Sequence, residues 1–192
     1  MKLPRGFYLR SGLEVAKDLI GKKLVHNSAA GLTAGIIVEV EAYMGKIDAA
    51  AHAYKGRTKR TEITFGEGGF AYIYLIYGKN ICMNVVANVA EIPEAILIRA
   101  LQPVAGINLM QERRQKNNLR ELCNGPSKLT QAMAITKNHY GVDLCGDKLF
   151  IETVENFQTE ILATKRINID YAGDAANFLW RFVQKNNNFV SK

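Results

Sequence analysis

No apolar run in this 192-residue chain approaches the roughly 20 residues that a membrane-spanning helix requires. A helical membrane protein is excluded, and no membrane partner is expected. The N-terminal stretch MKLPRGFYLRSG is basic but lacks the apolar core of about 7 to 15 residues found in a secretory signal, so a cytoplasmic address is expected. Cysteine is scarce: Cys82, Cys123 and Cys145 are odd in number and widely spaced, with no C-x-x-C pair to suggest zinc or redox work. They are expected as reduced, mostly buried thiols. Histidine is scarce too, and His26, His52 and His139 lack ligand spacing with one another or with cysteine, so no metal is expected. No repeat, low-complexity tract or Pro/Ser-rich linker divides the sequence, and residues 1–192 are expected to form one domain.

What is present is an ordinary globular composition with a basic bias. Hydrophobic residues make up 48% and charged ones 22%, and a fold of this length should hide about 70 per cent of its unfolded surface. Lys and Arg total 25 against 18 Asp and Glu, a net charge of +7. Such an excess favours a polyanionic partner without identifying one.

The hydrophobic pattern predicts a first helix from a capping box, Ser11 with Glu14, through the stripe Leu13, Ala16, Leu19 and Ile20 to Gly21 at the C-cap. Strands are predicted at 23–26, 35–43, 71–77, 81–87 and 95–101, all rich in β-branched and aromatic residues. Only Gly78, Lys79 and Asn80 separate the third from the fourth, which reads as a hairpin. Helices are predicted over about 105–115 and 127–135, with further strand-like pieces after Lys148. The end of the chain fits either a helix capped by Asp174, with the stripe Ala175, Phe178, Leu179 and Phe182, or a strand over 181–184. Clustered strands with helices before and after point to an α+β fold.

Two strands carry unusual side chains. In the run IIVEVEAY, alternation places Glu39, Glu41 and Tyr43 on one face and Val38, Val40 and Ala42 on the other. The polar face is either solvated or used, because an ionised carboxylate is costly among apolar neighbours unless something pairs it. In FAYIYLIYG, Tyr72 and Tyr74 point one way with Ile76, while Tyr77 faces the other side or departs at the turn. Tyrosine rows are common in half-buried sheets. Here, however, the row accompanies a carboxylate strand, His52 and the basic run HAYKGRTKR over 52–60. Flat rings beside Lys and Arg suit the stacking of an unpaired base with its phosphates held.

The blocks VEVEAYMGKIDAAAHAYKGRT, FAYIYLIYGKNICMNVV, AILIRALQP and ELCNGPSKLTQAMAI, in this order and spacing, resemble the alkyladenine (3-methyladenine) DNA glycosylase family from about residue 5 to the C-terminal RFVQKNNNFVS. The resemblance implies a single α+β domain with a curved, mainly antiparallel sheet flanked by helices, and it favours a strand for RFVQ. It also implies a monofunctional enzyme of base excision repair. Such an enzyme flips an alkylated, or deaminated, purine out of double-stranded DNA and hydrolyses the N-glycosidic bond with water, leaving an abasic site, without a cofactor and as a monomer. In a bacterium it would work at the nucleoid.

By the same resemblance Glu41 would activate the water and stabilise charge at the sugar, and Arg99 would stand beside that water and a sugar phosphate. Arg99 also reads as a structural partner of Glu39 or Glu41. Tyr43, His52 and Tyr74 would form the base-stacking pocket, Asn84 would screen normal purines, and Tyr77 would be the wedge that fills the vacated space. Gly125 and Pro126 in NGPSKL open a helix whose N–H groups attract phosphate, with Ser127 and Lys128 beside them and Lys79 as a further phosphate contact. Lys79 and Asn80 depart from the large apolar residues that some members carry after the wedge. The competing class is a non-catalytic nucleic-acid binding module, which would have no reason to hold a carboxylate such as Glu41 in a phosphate-facing cleft.

Overall fold

The apolar, β-branched segments of this chain pair edge to edge into one sheet, and the computed structural model describes residues 1–76, 78, 80–155 and 157–191 of it. Its strands are β1 (Lys23–Ser28), β2 (Gly31–Tyr43), β3 (Ala71–Ile76), β4 (Asn80–Ala87), β5 (Glu94–Ala105), β6 (Leu149–Glu152), β7 (Ile161–Thr164) and β8 (Arg181–Gln184). The order is β3-β4-β5-β2-β1-β6, with β8 joined to β2 and β7 to β8. Every pairing is antiparallel. Helices α1 (Arg5–Tyr8), α2 (Gly12–Leu19), α3 (Ile107–Arg114) and α4 (Pro126–Ala132) complete an α+β architecture, as the sequence predicts. Among the described residues no helix is long and apolar enough to cross a membrane.

The strand β2 is the spine. One of its edges pairs with β5 from Ala34 to Tyr43, while the other is shared, residues 31–36 pairing with β1 and residues 39–41 with β8. The changeover coincides with a bulge: Ile37 faces Leu101 and Glu39 faces Ala100, so Val38 is the extra residue. An extra residue reverses the alternation. Val38 therefore does not share a face with Val40 and Ala42, as plain alternation predicts. Ile37, Val40 and Ala42 belong to the main core, and Val38 packs in a second cluster with Ile36 and Ala100.

The helices cover one face of the sheet. Val15, Ala16 and Leu19 of α2, Met110 of α3, and Leu129 and Ala132 of α4 pack with Met83, Val85, Ile96, Ile98 and Leu101 from the strands. Cys82 and Cys123 are buried free thiols and Cys145 is partly buried. At the start of α2 the expected capping box is not formed, since the Ser11 side chain makes no cap bond. The buried carboxylate of Glu94 takes that place: its Oε2 accepts the Gly12 N–H at 2.6 Å and the Asn88 side-chain amide at 3.0 Å. Past the other end of α2, Gly21 adopts φ 84°, the left-handed conformation expected of a C-terminal glycine.

The C-terminal ambiguity resolves as a strand. A 3₁₀ segment, Asp170–Asn177, is broken at Gly173, and Arg181–Gln184 then pairs with β2. Phe182 is buried opposite Val40 while Leu179 is 54% exposed, so the helical stripe is not used.

On the helix side, His26 of β1 and His139 meet Nε2 to Nε2 at 3.1 Å. His26 Nδ1 lies 2.6 Å from the Met133 carbonyl and must donate to it, so its Nε2 accepts from His139. His139 Nδ1 in turn accepts the Thr136 N–H at 3.0 Å. Both rings are held neutral, their pKa values lowered first by burial.

Candidate active site

The face of the sheet opposite the helices carries a lateral row of residues, one from each of five strands. Tyr72 of β3 pairs with Asn84 of β4, Asn84 with Leu97 of β5, Leu97 with Glu41 of β2, and Glu41 with Arg181 of β8. Residues two positions along share this face. They bring in Tyr74, Arg99, Tyr43 and Glu39. A cavity of about 490 Å³ opens over the row, lined among others by Tyr43, His52, Tyr74, Asn84, Arg99 and Ile167. Tyr43, His52, Tyr74, Asn84 and Arg99, expected from the sequence to share a site, therefore meet at one cavity.

Glu41 stands behind its wall. The side chain is fully buried and does not itself line the cavity, but its three partners do. Oε2 accepts the Tyr43 hydroxyl at 2.8 Å and Arg99 Nη1 at 3.3 Å, and Oε1 accepts the Ile167 amide at 2.8 Å. All three partners are donors. Burial, and next the charge of Glu41, raise the Tyr43 pKa, which keeps its hydroxyl protonated and donating. The solvated reading of the polar face is thereby overturned, because Glu39 and Glu41 are both 0% exposed.

Glu39 is an anchor. It accepts Arg99 Nε at 2.9 Å, Arg181 Nε at 2.7 Å, and the Ser191 amide and hydroxyl at 2.6 and 2.8 Å. Arg99 thus bridges both glutamates while one side of it lines the cavity, so the ion-pair reading and the site reading hold together. Four donors on one carboxylate offset the cost of burying it and fix the Arg99 guanidinium in place.

The aromatic wall is ordered by polar contacts. His52 packs edge-on against Tyr74, with centroids 4.6 Å apart, and Tyr72 lies 5.2 Å from Tyr74. Arg60 Nη2 approaches His52 Nε2 at 3.2 Å, and a guanidinium can only donate, so Nε2 accepts and Nδ1–H donates to the Tyr72 hydroxyl at 2.8 Å. Burial and then the charge of Arg60 push the His52 pKa down to about 4, so the ring is neutral. Asn84 is buried and donates its amide to the Tyr72 carbonyl at 3.4 Å.

The sequence reading missed the support beneath Tyr43. Arg166 and Asp48 form a fully buried pair, with contacts of 2.5 and 2.8 Å, and the guanidinium lies 4.8 Å from the Tyr43 ring centroid and 5.1 Å from that of Trp180. Asp48 also accepts the amides of Met44 and Ala50. This pair ties the loop after β2 to the segment that supplies the Ile167 amide.

Of the remaining expected residues, Tyr77 and Lys79 lie outside the described residues. Pro126 of α4 lines the main cavity, and Ser127 lines a neighbouring hollow of about 470 Å³ with Asn80, Thr130 and Thr136. The Lys128 ammonium bonds the Asn124 side chain at 2.9 Å. Among the described residues no group of His, Cys, Asp and Glu has the arrangement of a metal site.

The family model for methylpurine-DNA glycosylase matches residues 6–188. A protein of Alkaliphilus oremlandii is 49% identical over 201 residues, covering 100% of both chains. One of Clostridium acetobutylicum is 51% identical over 200 residues, covering 100% of this chain and 98% of the relative. A third, of Bacillus cytotoxicus, is 48% identical over 204 residues and covers 100% of both. Each of the three bears the name "Putative 3-methyladenine DNA glycosylase". With a matching family model over nearly its whole length and relatives at about half identity end to end, the chain belongs to the methylpurine-DNA glycosylase family.

Proposed function

We propose that this protein is a DNA-3-methyladenine glycosylase that receives an extruded purine in the cavity between Tyr43, His52 and Tyr74 and hydrolyses its N-glycosidic bond. The observation that carries the reading is the buried Glu41 carboxylate, held by Tyr43, Arg99 and the Ile167 amide at the back of an aromatic cavity. Oε2 is occupied by two donors. Oε1 has one partner among the described residues and so keeps an acceptor position for a water proton.

Cleavage builds positive charge at the sugar C1′ as the C–N bond breaks and its electron pair leaves with the base. Glu41 stabilises that charge and takes the proton of the water whose oxygen bonds to C1′. An alkylated purine already carries positive charge, so it departs neutral without a protein acid, and the electron-rich rings attract it by about 0.5 to 2 kcal/mol. Asn84, on the floor of the cavity, screens normal purines. Extrusion costs a few kcal/mol and is easiest at damaged pairs. Tyr77 is the wedge that fills the gap, and Ser127, Lys128 and Lys79 take the DNA backbone.

The test is release of free base from a duplex containing one 3-methyladenine. Glu41→Gln should lose about 100-fold or more in single-turnover rate while retaining lesion binding. Equal rates in the two proteins would remove Glu41 from the mechanism.

A further inference from the structure

One of the residues that touch both the ring of Tyr74 and the ring of His52 is itself a cation. The Arg60 guanidinium lies 5.0 Å from the Tyr74 ring centroid, its Nη2 stands 3.2 Å from His52 Nε2, and Arg60 lines the same cavity as Tyr43, Asn84 and Arg99. It is an exposed residue on the loop that follows His52. Its neighbour in the same basic run behaves differently: Arg57 is paired with Glu62 and Glu91 and stacks on Phe65. No carboxylate pairs with Arg60 among the described residues. Its charge is therefore balanced by ring faces and an imidazole nitrogen, in the space where a base would stack.

We infer that Arg60 is a specificity-determining residue, a resident cation that an incoming base displaces from Tyr74 and His52. A positively charged purine replaces the interaction it removes, whereas a neutral purine does not. The inference rests on the glycosylase reading and adds to it a second selection step, separate from the attraction between rings and lesion. Displacing Arg60 costs every base the same, but a cationic base holds the rings strongly enough to fill the cavity regardless, so the cost lowers occupancy, and with it the rate, for neutral bases alone. Its long side chain returns to water at the cavity mouth, where the released charge meets the phosphates of the bound duplex.

The experiment compares wild type, Arg60→Gln and Arg60→Lys on two duplexes, one with a single 3-methyladenine, which is cationic, and one with a single hypoxanthine, which is neutral. Single-turnover base release is measured on each. A change in overall DNA affinity affects both substrates alike and cancels in their ratio. Arg60→Gln should raise the neutral-to-cationic rate ratio by roughly 2- to 30-fold, the range spanned by a cation–π contact, and Arg60→Lys should lie between it and wild type. Proton NMR of the His52 ring supplies an independent readout, since loss of the neighbouring charge should lift its pKa from about 4. An active wild type with an unchanged ratio in Arg60→Gln, or an unmoved His52 titration, overturns the role of Arg60 and leaves the glycosylase reading intact. A wild type that releases neither base overturns both.

Discussion

The hydroxyl of Tyr43 does two things at once: its ring closes one side of the cavity and its proton fixes Glu41 Oε2. Tyr43→Phe separates these roles, keeping the ring and removing the hydrogen bond. Base release should fall about 10- to 100-fold, the span of one hydrogen bond to a charged group, while lesion binding in a salt-matched gel-shift assay stays within a few-fold of wild type. A variant that binds poorly but turns over normally would assign Tyr43 to stacking alone. At this scale the sequence was informative about the side chains gathered at the cavity and silent about the groups that hold them. Glu41, Tyr43, Tyr74, Asn84 and Arg99 lie on segments whose strand character could be read and in the blocks that carry the family resemblance. Asp48 and Arg166 are 118 positions apart and meet only after the sheet has closed, and the Ile167 donor is a main-chain amide that no residue type marks. Arg60 was visible only as one member of a basic run.

Among the elements, α2 shows how a correct helix can be predicted for a mistaken reason. Its apolar stripe is real, but its first amide is satisfied from β5, 82 positions away, by Glu94 rather than by Ser11. Ser11→Ala should therefore change stability by less than about 0.5 kcal/mol. Glu94→Ala, which leaves the Gly12 amide and the Asn88 side chain without their acceptor, should cost about 1 to 3 kcal/mol. Urea denaturation of both variants checks this, and a larger loss for Ser11→Ala would reinstate the capping box. The strand β2 teaches a related lesson. Five of the eight strands were legible as runs rich in β-branched and aromatic residues, but the bulge at Val38 was not, because a valine suits a regular strand position as well as a bulged one. The bulge matters for the site: it lets one long strand leave β1 and take β8, whose Arg181 then reaches Glu39.

For the molecule as a whole, three neutral histidines make the fold sensitive to acid. His26, His139 and His52 all have lowered pKa values in the folded state, first through burial. The unfolded chain therefore binds protons that the folded chain refuses. The stability these rings contribute is complete above their unfolded pKa of about 6.5 and is lost as pH falls below it, by up to about 1.4 kcal/mol per pH unit for each of the buried rings of His26 and His139 and by less for the solvent-screened ring of His52. The charges of Arg113 and Lys148 near His26, of Lys148 near His139 and of Arg60 near His52 act in the same direction. Urea midpoints should drop steadily between pH 7 and 5, and His139→Gln should flatten that slope, since it removes one proton-refusing ring. An unaltered slope would show that the pair is not neutral in the folded protein. The basic composition offered no hint of this, because the two rings of the pair are 113 positions apart and meet only across the finished fold.

The late arrival of Ile167, Arg181 and Ser191 at Glu41 and Glu39 has a consequence for synthesis. A polypeptide emerging from the ribosome would present its tyrosines and its basic loop well before the two acids acquire the donors that hold them. Until then neither carboxylate has the full set of donors that offsets its burial, so the charged back of the cavity is completed only when the last quarter of the chain docks against β2.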